Sequence, residues 1–391
     1  MAAIAASKKG KQVVLMEKNS EIGRKILATG NGRCNITNKN VTADRFYGAD
    51  DKFVNGVLSQ FDQHKTMDFF NELGLLLKEE DRGRIFPRTN QASSVINVLL
   101  DQLNERKVTI LVDSLVKKIE KKEAWNVILE SRDVINAKKL IITTGGKAAH
   151  FLGSSGDGLF WARNLGHTIT PIYAALVPVE TKESWVREVQ GVKVEAKVWA
   201  AKREKIIAHK YGDLLFTHFG LSGPSIMSMA RKIAPEIGDS KVELHIDLFP
   251  EIEKDKLAKS ILKSLELNGK KAIKNALVGI LPQRLIEVIL ALSDIDVNKK
   301  SAEISKVERE NILLNMKNLT LTVSGLRPLK EAQVTAGGIE TSEINTKTLE
   351  SKIVKDLYFA GEIIDVDGDS GGFNLQWAWS SGYVAGKNAS F

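Results

Sequence analysis

The densest group of residues suited to chemistry lies between residues 23 and 38. Gly30 and Gly32 let the backbone approach a flat ligand or a phosphate closely. Cationic side chains in the same stretch can neutralise a pyrophosphate, and amide side chains suit the polar edge of a heterocycle. The cations are Arg24, Lys25 and Arg33, and the amides are Asn31, Asn35 and Asn38. This composition favours a nucleotide-binding loop over an ordinary polar turn.

Glu17 follows a pattern that predicts part of a dinucleotide-binding βαβ unit. Residues 1–9 have a helical pattern, and residues 12–16 form the apolar run of a buried strand. A carboxylate at the end of such a strand accepts hydrogen bonds from both ribose hydroxyls. The acid follows the first fingerprint glycine by about 20 residues, so we expect the printed sequence to begin inside the first helix. The windows starting at Gly30 and Gly156 do not complete that fingerprint, and no P-loop motif occurs.

Glycine turns further along the chain predict a ligand-binding edge of a sheet. Residues 143–146 follow one apolar strand pattern and Gly361 follows another, and open α/β sheets bind ligands at such strand ends. Gly371 and Gly372 precede a helical pattern, which predicts free N–H groups and a positive dipole end suited to a pyrophosphate or an anionic flavin ring. Trp377 and Trp379 in that helix are interpreted as packing residues.

Side-chain catalysis has little support in the sequence. Cys34 is interpreted as a small buried thiol, because no base is placed to activate it. His218, within residues 214–224, is the one weak candidate for an acid or base, with a structural role as the alternative. Ser222 does not complete a Gly-x-Ser-x-Gly motif, and no residue pattern indicates a metal site.

The composition sets further limits. The 391 residues carry a formal net charge of +8, but the lysines are spread along the chain, so we interpret the charge as solvated surface and disfavour a nucleic-acid partner. The single cysteine excludes an intrachain disulfide and a zinc ribbon, and it favours the cytoplasm. No apolar run approaches the ~20 residues of a membrane span. The oligomeric state stays open.

The order of patterns predicts an α/β protein with insertions. Residues 20–165 alternate helical and strand patterns, residues 168–250 alternate apolar and polar residues as in antiparallel strands, and residues 251–316 are helical. We therefore expect a first α/β segment (1–167), a β-rich domain (168–250 and 318–333), an inserted helical domain (251–317) and a second α/β segment (334–391).

Taken together, these motifs resemble the three-domain bacterial flavoproteins labelled NAD(FAD)-utilising dehydrogenases or aminoacetone-oxidase-like FAD-binding enzymes. The resemblance spans nearly the whole chain, and the stretches that carry it are 17–18, 23–38, 83–87, 144–146, 214–224, 334–338, 357–365 and 371–386. It implies FAD held by a discontinuous Rossmann-like domain, with an inserted β-rich domain and a helical domain. Family members carry a strand and a glycine-rich loop ahead of the helix at residues 2–9, and we expect these upstream of the printed start.

The resemblance also implies roles along an extended FAD. Glu17 binds the adenosine ribose, the backbone of Val116 contacts adenine, and Arg24 and Lys25 lie along the cofactor. The residues expected at the flavin ring are Gly30, Asn31, Gly32, Arg33, Cys34, Asn35, Gly371, Gly372, Phe373, Asn374, Leu375 and Gln376. Those expected near the pyrophosphate and ribityl chain are Gly361, Glu362 and Asp365. Lys18, Thr144 and Gly145 complete the predicted cofactor-binding set.

Three functions follow as hypotheses. In the first, the enzyme oxidises a small amine such as aminoacetone and passes electrons to oxygen. In the second, NAD(P)H reduces the flavin, which then reduces a C=C bond or another acceptor. In the third, the chain is a non-enzymatic flavoprotein relative that binds RNA or protein.

Overall fold

The computed structural model describes residues 1–8, 10–238 and 240–391. These residues form two compact units, one built from Met1–Tyr173 and Leu329–Phe391 and the other from Ala174–Pro328. We call them the first and the second unit. The finer division expected from the sequence, with boundaries at residues 167, 250, 317 and 333, stays a prediction.

The described helices and strands are as follows. The α-helices are α1 (Ala2–Ser7), α2 (Arg24–Ala28), α3 (Asp51–Leu58), α4 (Gln63–Glu72), α5 (Ala92–Glu105), α6 (Asp157–Asn164), α7 (Pro224–Met227), α8 (Ala230–Ile233), α9 (Lys254–Leu267), α10 (Ile273–Ala276), α11 (Gln283–Leu292), α12 (Lys306–Lys317) and α13 (Phe373–Ala389). The strands are β1 (Val14–Met16), β2 (Thr37–Asn38), β3 (Phe46–Tyr47), β4 (Leu77–Glu80), β5 (Arg84–Pro87), β6 (Thr109–Leu111), β7 (Val116–Lys121), β8 (Trp125–Leu129), β9 (Val134–Ala137), β10 (Leu140–Ile142), β11 (Tyr173–Ala175), β12 (Val179–Thr181), β13 (Lys193–Lys202), β14 (Lys205–Thr217), β15 (Gly220–Ser222), β16 (Val242–Asp247), β17 (Leu319–Leu326), β18 (Val334–Ala336), β19 (Leu357–Phe359) and β20 (Asp367–Gly368).

The first unit is a Rossmann-like α/β arrangement, as predicted. β1 pairs with β6 and β10 pairs with β19, both in parallel. Short, continuously apolar strands such as β10 and β19 are typical of parallel sheets covered on both faces. The carboxyl ends of β10 and β19 meet at one edge, where the amide of Ala360 donates to the carbonyl of Ile142 at 3.2 Å. The turns at 143–146 and 361–362 therefore start side by side.

Helix α13 runs through the core of the first unit. Trp377 and Trp379 are buried, so their interpretation as packing residues is confirmed. Gly386 lets α1 approach α13, because a Cβ there would overlap the carbonyl of Ala2. The helical pattern predicted over residues 1–9 is observed as α1, and Lys9 lies outside the described residues.

The second unit is a closed six-stranded barrel with helices inserted in the chain before its last strand. The strand order is β12-β15-β14-β13-β16-β17. Inward residues of β16 such as Val242, Leu244 and Ile246 are buried, as the alternating pattern predicts. Helices α9 to α12 lie between β16 and β17 in sequence and share one apolar cluster with the barrel. Within the described residues, no helix combines the length and apolar character that crossing a bilayer demands.

Candidate functional site

Glu17 lies at the end of β1 and organises the residues that follow it. Its Oε1 accepts hydrogen bonds from the backbone amide of Asn19 at 2.9 Å and from Asn19 Nδ2 at 2.7 Å. Asn19 Oδ1 in turn accepts from Arg24 Nη1 at 3.1 Å. The Asn19 amide therefore holds the predicted ribose-binding carboxylate and the predicted cofactor-side arginine in one short network.

The same network is joined to the predicted adenine contact. The backbone amide of Ser114 donates to the carbonyl of Glu17 at 2.9 Å, and Val116 begins β7 two residues later. Leu111 and residues 113–115 border a cavity of about 620 Å³. The bond between Glu17 and Ser114 brings the chain segments of Glu17 and Val116, which are 99 positions apart in the sequence, to one region.

Lys25 and Glu362 form an ion pair across 337 residues of sequence, with Nζ 2.6 Å from Oε2. Glu362 Oε1 also accepts from the amide of Thr335 at 2.8 Å. Thr335 Oγ1 accepts from the amides of Lys147 and Ala148 at 2.8 and 2.9 Å. We call Lys25, Glu362 and Thr335 the hub. It joins the turns after β10 and β19 to α2 and β18, so that four separate chain segments meet there.

The other residues predicted along the middle of the cofactor surround this hub. Gly361 has a φ of 80° and open space where a Cβ would stand. Asp365 is buried, and its Oδ2 accepts from Thr170 Oγ1 at 2.9 Å. Gly145 also has a positive φ, of 73°, and Thr144 packs where a Cβ on Gly158 of α6 would lie. Lys18 Nζ binds Ser155 and lies 3.2 Å from Asp157 Oδ2 at the start of α6. All of these residues belong to the first unit.

Asn35 lies between the loop at residues 29–34 and the start of α13. It is 9% exposed, and its Oδ1 is buried with no hydrogen-bond partner among the described residues. A Cβ on Gly372 would lie 3.0 Å from this oxygen and 2.5 Å from the carbonyl oxygen of Thr37. A Cβ on Gly30 would lie 2.9 Å from the amide nitrogen of Asn35. Two glycines with positive φ, Gly30 and Gly372, therefore allow the backbone to pack closely around Asn35 Oδ1, an acceptor that could bind a donor from a ligand.

The loop at residues 29–34 has an unusual backbone for non-glycine residues. Asn31 and Cys34 have φ values of 55° and 62°, a region that L-residues visit at a cost and that clusters at ligand sites. Gly32 has a φ of 80° and no atom within 4 Å of a hypothetical Cβ. The loop thus exposes backbone at Gly32 and buries Cys34, whose pKa is raised by burial to about 12. The interpretation of Cys34 as a small buried thiol is confirmed by its burial.

The side chain of Arg33 packs against neighbouring strands rather than projecting from the loop. Its Nη1 is 2.9 and 3.2 Å from the two carboxylate oxygens of Glu80, and its guanidinium stacks over the Phe86 ring at 4.2 Å. These contacts anchor the loop to β4 and β5. The position of Arg33 at a pyrophosphate or flavin stays a prediction.

The N-terminus of α13 offers backbone N–H groups, because Gly372 occupies the N-cap position and supplies no side-chain cap. The side chains at this end are mainly structural. Phe373 is buried beneath the Arg45 guanidinium, and Asn374 binds both backbone groups of Gly368. Leu375 packs against the neighbouring apolar cluster. Gln376 is fully buried and binds Thr37, Ser380 and the carbonyl of Phe61.

Sequence reasoning missed several residues that the structure places among these groups. Asn19 connects Glu17 with Arg24, and Thr335 connects Glu362 with the turn after β10. Tyr47 and Arg45 both bind Asp369, which is buried just before α13, through contacts of 2.9 and 2.7 Å. Burial and the carboxylate of Asp369 raise the pKa of Tyr47. The only available signal was position, because Thr335 and Asp369 stand next to glycine turns.

His218 belongs to the second unit and lies in the turn between β14 and β15. It is exposed, its carbonyl accepts from Arg187, and its ring meets the Phe219 ring edge-on at 4.9 Å. Its role as an acid or base stays a prediction. Among the described residues no group of His, Cys, Asp and Glu is arranged to hold a metal ion.

The residues of the first unit fit an FAD on structural grounds. Asn35 Oδ1 supplies an acceptor for a ring N–H, Gly32 and Gly361 leave room at the backbone, and α13 offers N–H groups to an anion. Glu17, held by Asn19 at the end of β1, is a carboxylate of the kind that accepts hydrogen bonds from an adenosine ribose. The individual cofactor contacts stay predictions.

Comparisons with known proteins agree with this fit. A family model described as the HI0933-like protein Rossmann domain matches residues 1–388. The chain is 37% identical over its whole length to a 3-dehydro-bile acid delta(4,6)-reductase of Clostridium scindens and covers 96% of that protein. It is 30% identical, over 98% of its length, to the ribosomal RNA dihydrouridine synthases of Escherichia coli and Haemophilus influenzae, and covers 93% and 94% of them. The chain therefore belongs to the HI0933-like Rossmann-domain family, and it is an FAD-dependent oxidoreductase.

Proposed function

We propose that this enzyme reduces a carbon–carbon double bond conjugated to a carbonyl group. The observation that carries the proposal is the full-length match to relatives whose names describe this kind of bond change. A 3-dehydro-bile acid with delta(4,6) unsaturation has double bonds conjugated to a ketone, and dihydrouridine differs from uridine by two hydrogens across the C=C bond of the ring. The C=C reductase was the second hypothesis from the sequence. Amine oxidation with oxygen stays a prediction, and the non-enzymatic alternative is wrong, because the chain is an enzyme.

The proposed reaction adds two hydrogens to the substrate. NAD(P)H gives up a hydride and becomes NAD(P)⁺, the C=C bond gains that hydride at one carbon, and a proton from water or a protein acid adds to the other. When bound, FAD supplies the hydride transfer between the two. Glu17 and Asn19 are proposed to hold the adenosine end, and the hub of Lys25, Glu362 and Thr335 keeps the ends of the strands in place for the cofactor.

Asn35 is proposed to fix the plane and the register of the flavin ring. An acceptor at a defined position binds a ring N–H in one orientation only, so the ring is presented to substrate with one edge held. The N–H groups at the start of α13 favour negative charge nearby and would bind an anionic part of the cofactor. These are binding and orienting roles, and they require no further reactive side chain.

The test is an anaerobic stopped-flow experiment on the FAD-loaded enzyme. NADPH or NADH should bleach the visible flavin band, and a 3-keto-4-ene steroid or a uridine-containing RNA should restore it, with mass spectrometry showing product that has gained two hydrogens. A flavin that NAD(P)H does not reduce, but that a small amine reduces with hydrogen peroxide formed on aeration, would refute the proposal and support the oxidase hypothesis.

A further inference from the structure

Helix α9 in the second unit has two faces of opposite character. Three apolar residues at i, i+4 and i+8 are buried against the unit's core: Leu257, Ile261 and Leu265. Three exposed lysines at i, i+3 and i+7 lie on the opposite side of the helix: Lys256, Lys259 and Lys263. Their ammonium groups therefore follow one line over about 10 Å of helix axis.

More exposed lysines gather where α9 ends. Lys270 and Lys271 follow the helix directly, and the carbonyl of Lys271 accepts from the amide of Ser301 at 2.9 Å. Ala272 forms a β-bridge with Lys300, which brings that lysine to the same end. We call this set the lysine face, and its members are Lys256, Lys259, Lys263, Lys270, Lys271 and Lys300.

The lysine face carries an excess of positive charge. In residues 1–8, 10–238 and 240–391, none of its six ammonium groups lies within 4 Å of a carboxylate. The two carboxylates of α9, Asp255 and Glu266, lie four and three positions from Lys259 and Lys263 and offset part of this charge. Lysines elsewhere on the surface are paired directly: Lys117, Lys118 and Lys122, for example, each lie within 4 Å of Glu120 or Glu130. The remaining excess of cations repels itself, and a polyanion relieves that repulsion.

We infer that the lysine face docks RNA through its phosphate backbone. Evenly placed point charges on a rigid helix suit a repeating phosphate chain and read no base sequence, so they position the RNA and leave recognition to another site. A bilayer fits less well, because a membrane-bound amphipathic helix inserts its apolar face, whereas Leu257, Ile261 and Leu265 are already committed to the core. If the enzyme reduces a C=C bond as proposed above, a uracil ring within RNA is a substrate of the right chemistry, and this last step rests on that proposed function.

The experiment measures RNA binding by the full-length FAD-loaded enzyme at a series of salt concentrations. The probe is a fluorescein-labelled RNA stem-loop with uridines in its loop. The variant K256Q/K259Q/K263Q should bind at least about 10-fold more weakly at low salt, and its plot of log affinity against log salt should be shallower by about 2–3. The matched control K117Q/K118Q/K122Q removes the same charge from β7 and its turn, and its slope should change by less than about 1. Thermal unfolding and flavin content should match the parent in both.

Several outcomes would overturn the assignment. Equal losses in the two variants would show that only total charge matters, and no salt-dependent RNA binding by the parent would remove the docking surface altogether. Binding to phosphatidylglycerol vesicles or polyglutamate that depends on the lysine face, without RNA binding, would assign the face to a membrane or an acidic protein instead. Reduction of a small 3-keto-4-ene acceptor, measured on the same proteins, separates the two proposals: RNA docking with no such reduction, and no turnover of uridine, would refute the reductase and leave the docking surface standing.

Discussion

The buried oxygen of Asn35 gives the sharpest test of the cofactor site, because replacing this residue should act in opposite directions on folding and on binding. An unsatisfied buried acceptor costs about 1–3 kcal/mol. Asn35→Ala removes that cost from the FAD-free protein, and the small cavity it leaves costs about 1 kcal/mol. We therefore expect the free energy of unfolding without FAD to stay within about 1 kcal/mol of the parent or to rise.

Binding of FAD should weaken in the same variant. If a ring N–H donates to Asn35 Oδ1, FAD binding gives the parent a hydrogen bond and also removes the cost of the unpaired buried oxygen. FAD binding brings neither benefit to the variant. A difference of about 1.5–3 kcal/mol raises the dissociation constant by roughly 10- to 100-fold. The assay is a fluorescence titration of FAD into FAD-depleted protein, with urea unfolding of the same samples.

Asn38→Ala is the matched control, because Asn38 is also buried and its amide already has hydrogen-bond partners. Its Nδ2 donates to the carbonyls of Gly371 and Arg82 at 2.9 and 3.2 Å, and its Oδ1 accepts from the amide of Asn40. Losing these bonds at about 1 kcal/mol each should destabilise the FAD-free protein by about 2–3 kcal/mol. An unchanged FAD dissociation constant in Asn35→Ala, or a loss of stability as large as that of Asn38→Ala, would refute the reasoning.

Three further predictions concern the first unit. Lys25→Ala and Glu362→Gln should show a coupling energy of about 1 kcal/mol in a double-mutant cycle of urea unfolding, since the pair is half-buried; additive effects would mean that the ion pair does not stabilise the hub. Cys34, with its pKa raised to about 12 by burial, should resist a disulfide reagent at neutral pH and react once urea unfolds the chain, and rapid native labelling would contradict its burial. His167 is buried, and burial lowers its pKa below the ordinary value of 6.5 even though Glu343 opposes the shift; its neutral ring stabilises the fold above about pH 6.5, and that stability is lost as pH falls through the folded-state pKa. His167→Gln should flatten the decline of melting temperature as the pH falls below about 6.5, and an equally steep decline would assign it to other groups.

The sequence predicted the elements of the site better than the partners of its residues. Glu17, Lys25, Asn35 and Glu362 were singled out by residue type and by position beside a strand or glycine turn, because the carboxyl ends of parallel strands meet at one edge. That Lys25 and Glu362 bind one another was not predictable, since composition carries no information on which of two charges 337 residues apart will meet.

Some side chains assigned to the flavin by resemblance have partners within the protein that the sequence did not predict. Gln376 and Ser380 are four residues apart on α13, so both face inward, where they bind each other and the carbonyl of Phe61. A glutamine beside a glycine turn looks like a ligand contact in the sequence, and only the orientation of the helix reveals that its amide is already used. Arg33 is a similar case, because its partners Glu80 and Phe86 come from strands that no local pattern connects to it.

The distribution of charge on the surface is likewise hard to predict from the sequence. The lysines appeared evenly spread along the sequence, and nucleic acid was disfavoured for that reason. In α9, helical periodicity places three lysines on one side of the helix. The bridge between Ala272 and Lys300 brings Lys300, which is 29 positions after Lys271 in the sequence, to the same end. Surface charge density is a property of the fold, and spacing along the chain underestimates it.

The construction of the first unit from two separated segments has a consequence for synthesis. β10 can pair with β19, and Glu362 can meet Lys25, only when residues 329–391 have left the ribosome, after the whole barrel and its helices have been translated. Until then the early segment lacks half of its sheet edge and the helix that fills its core. The nascent chain should therefore acquire the yellow colour of bound FAD only when its synthesis is almost finished. A ribosome stalled within the second unit should carry a nascent chain that retains no FAD.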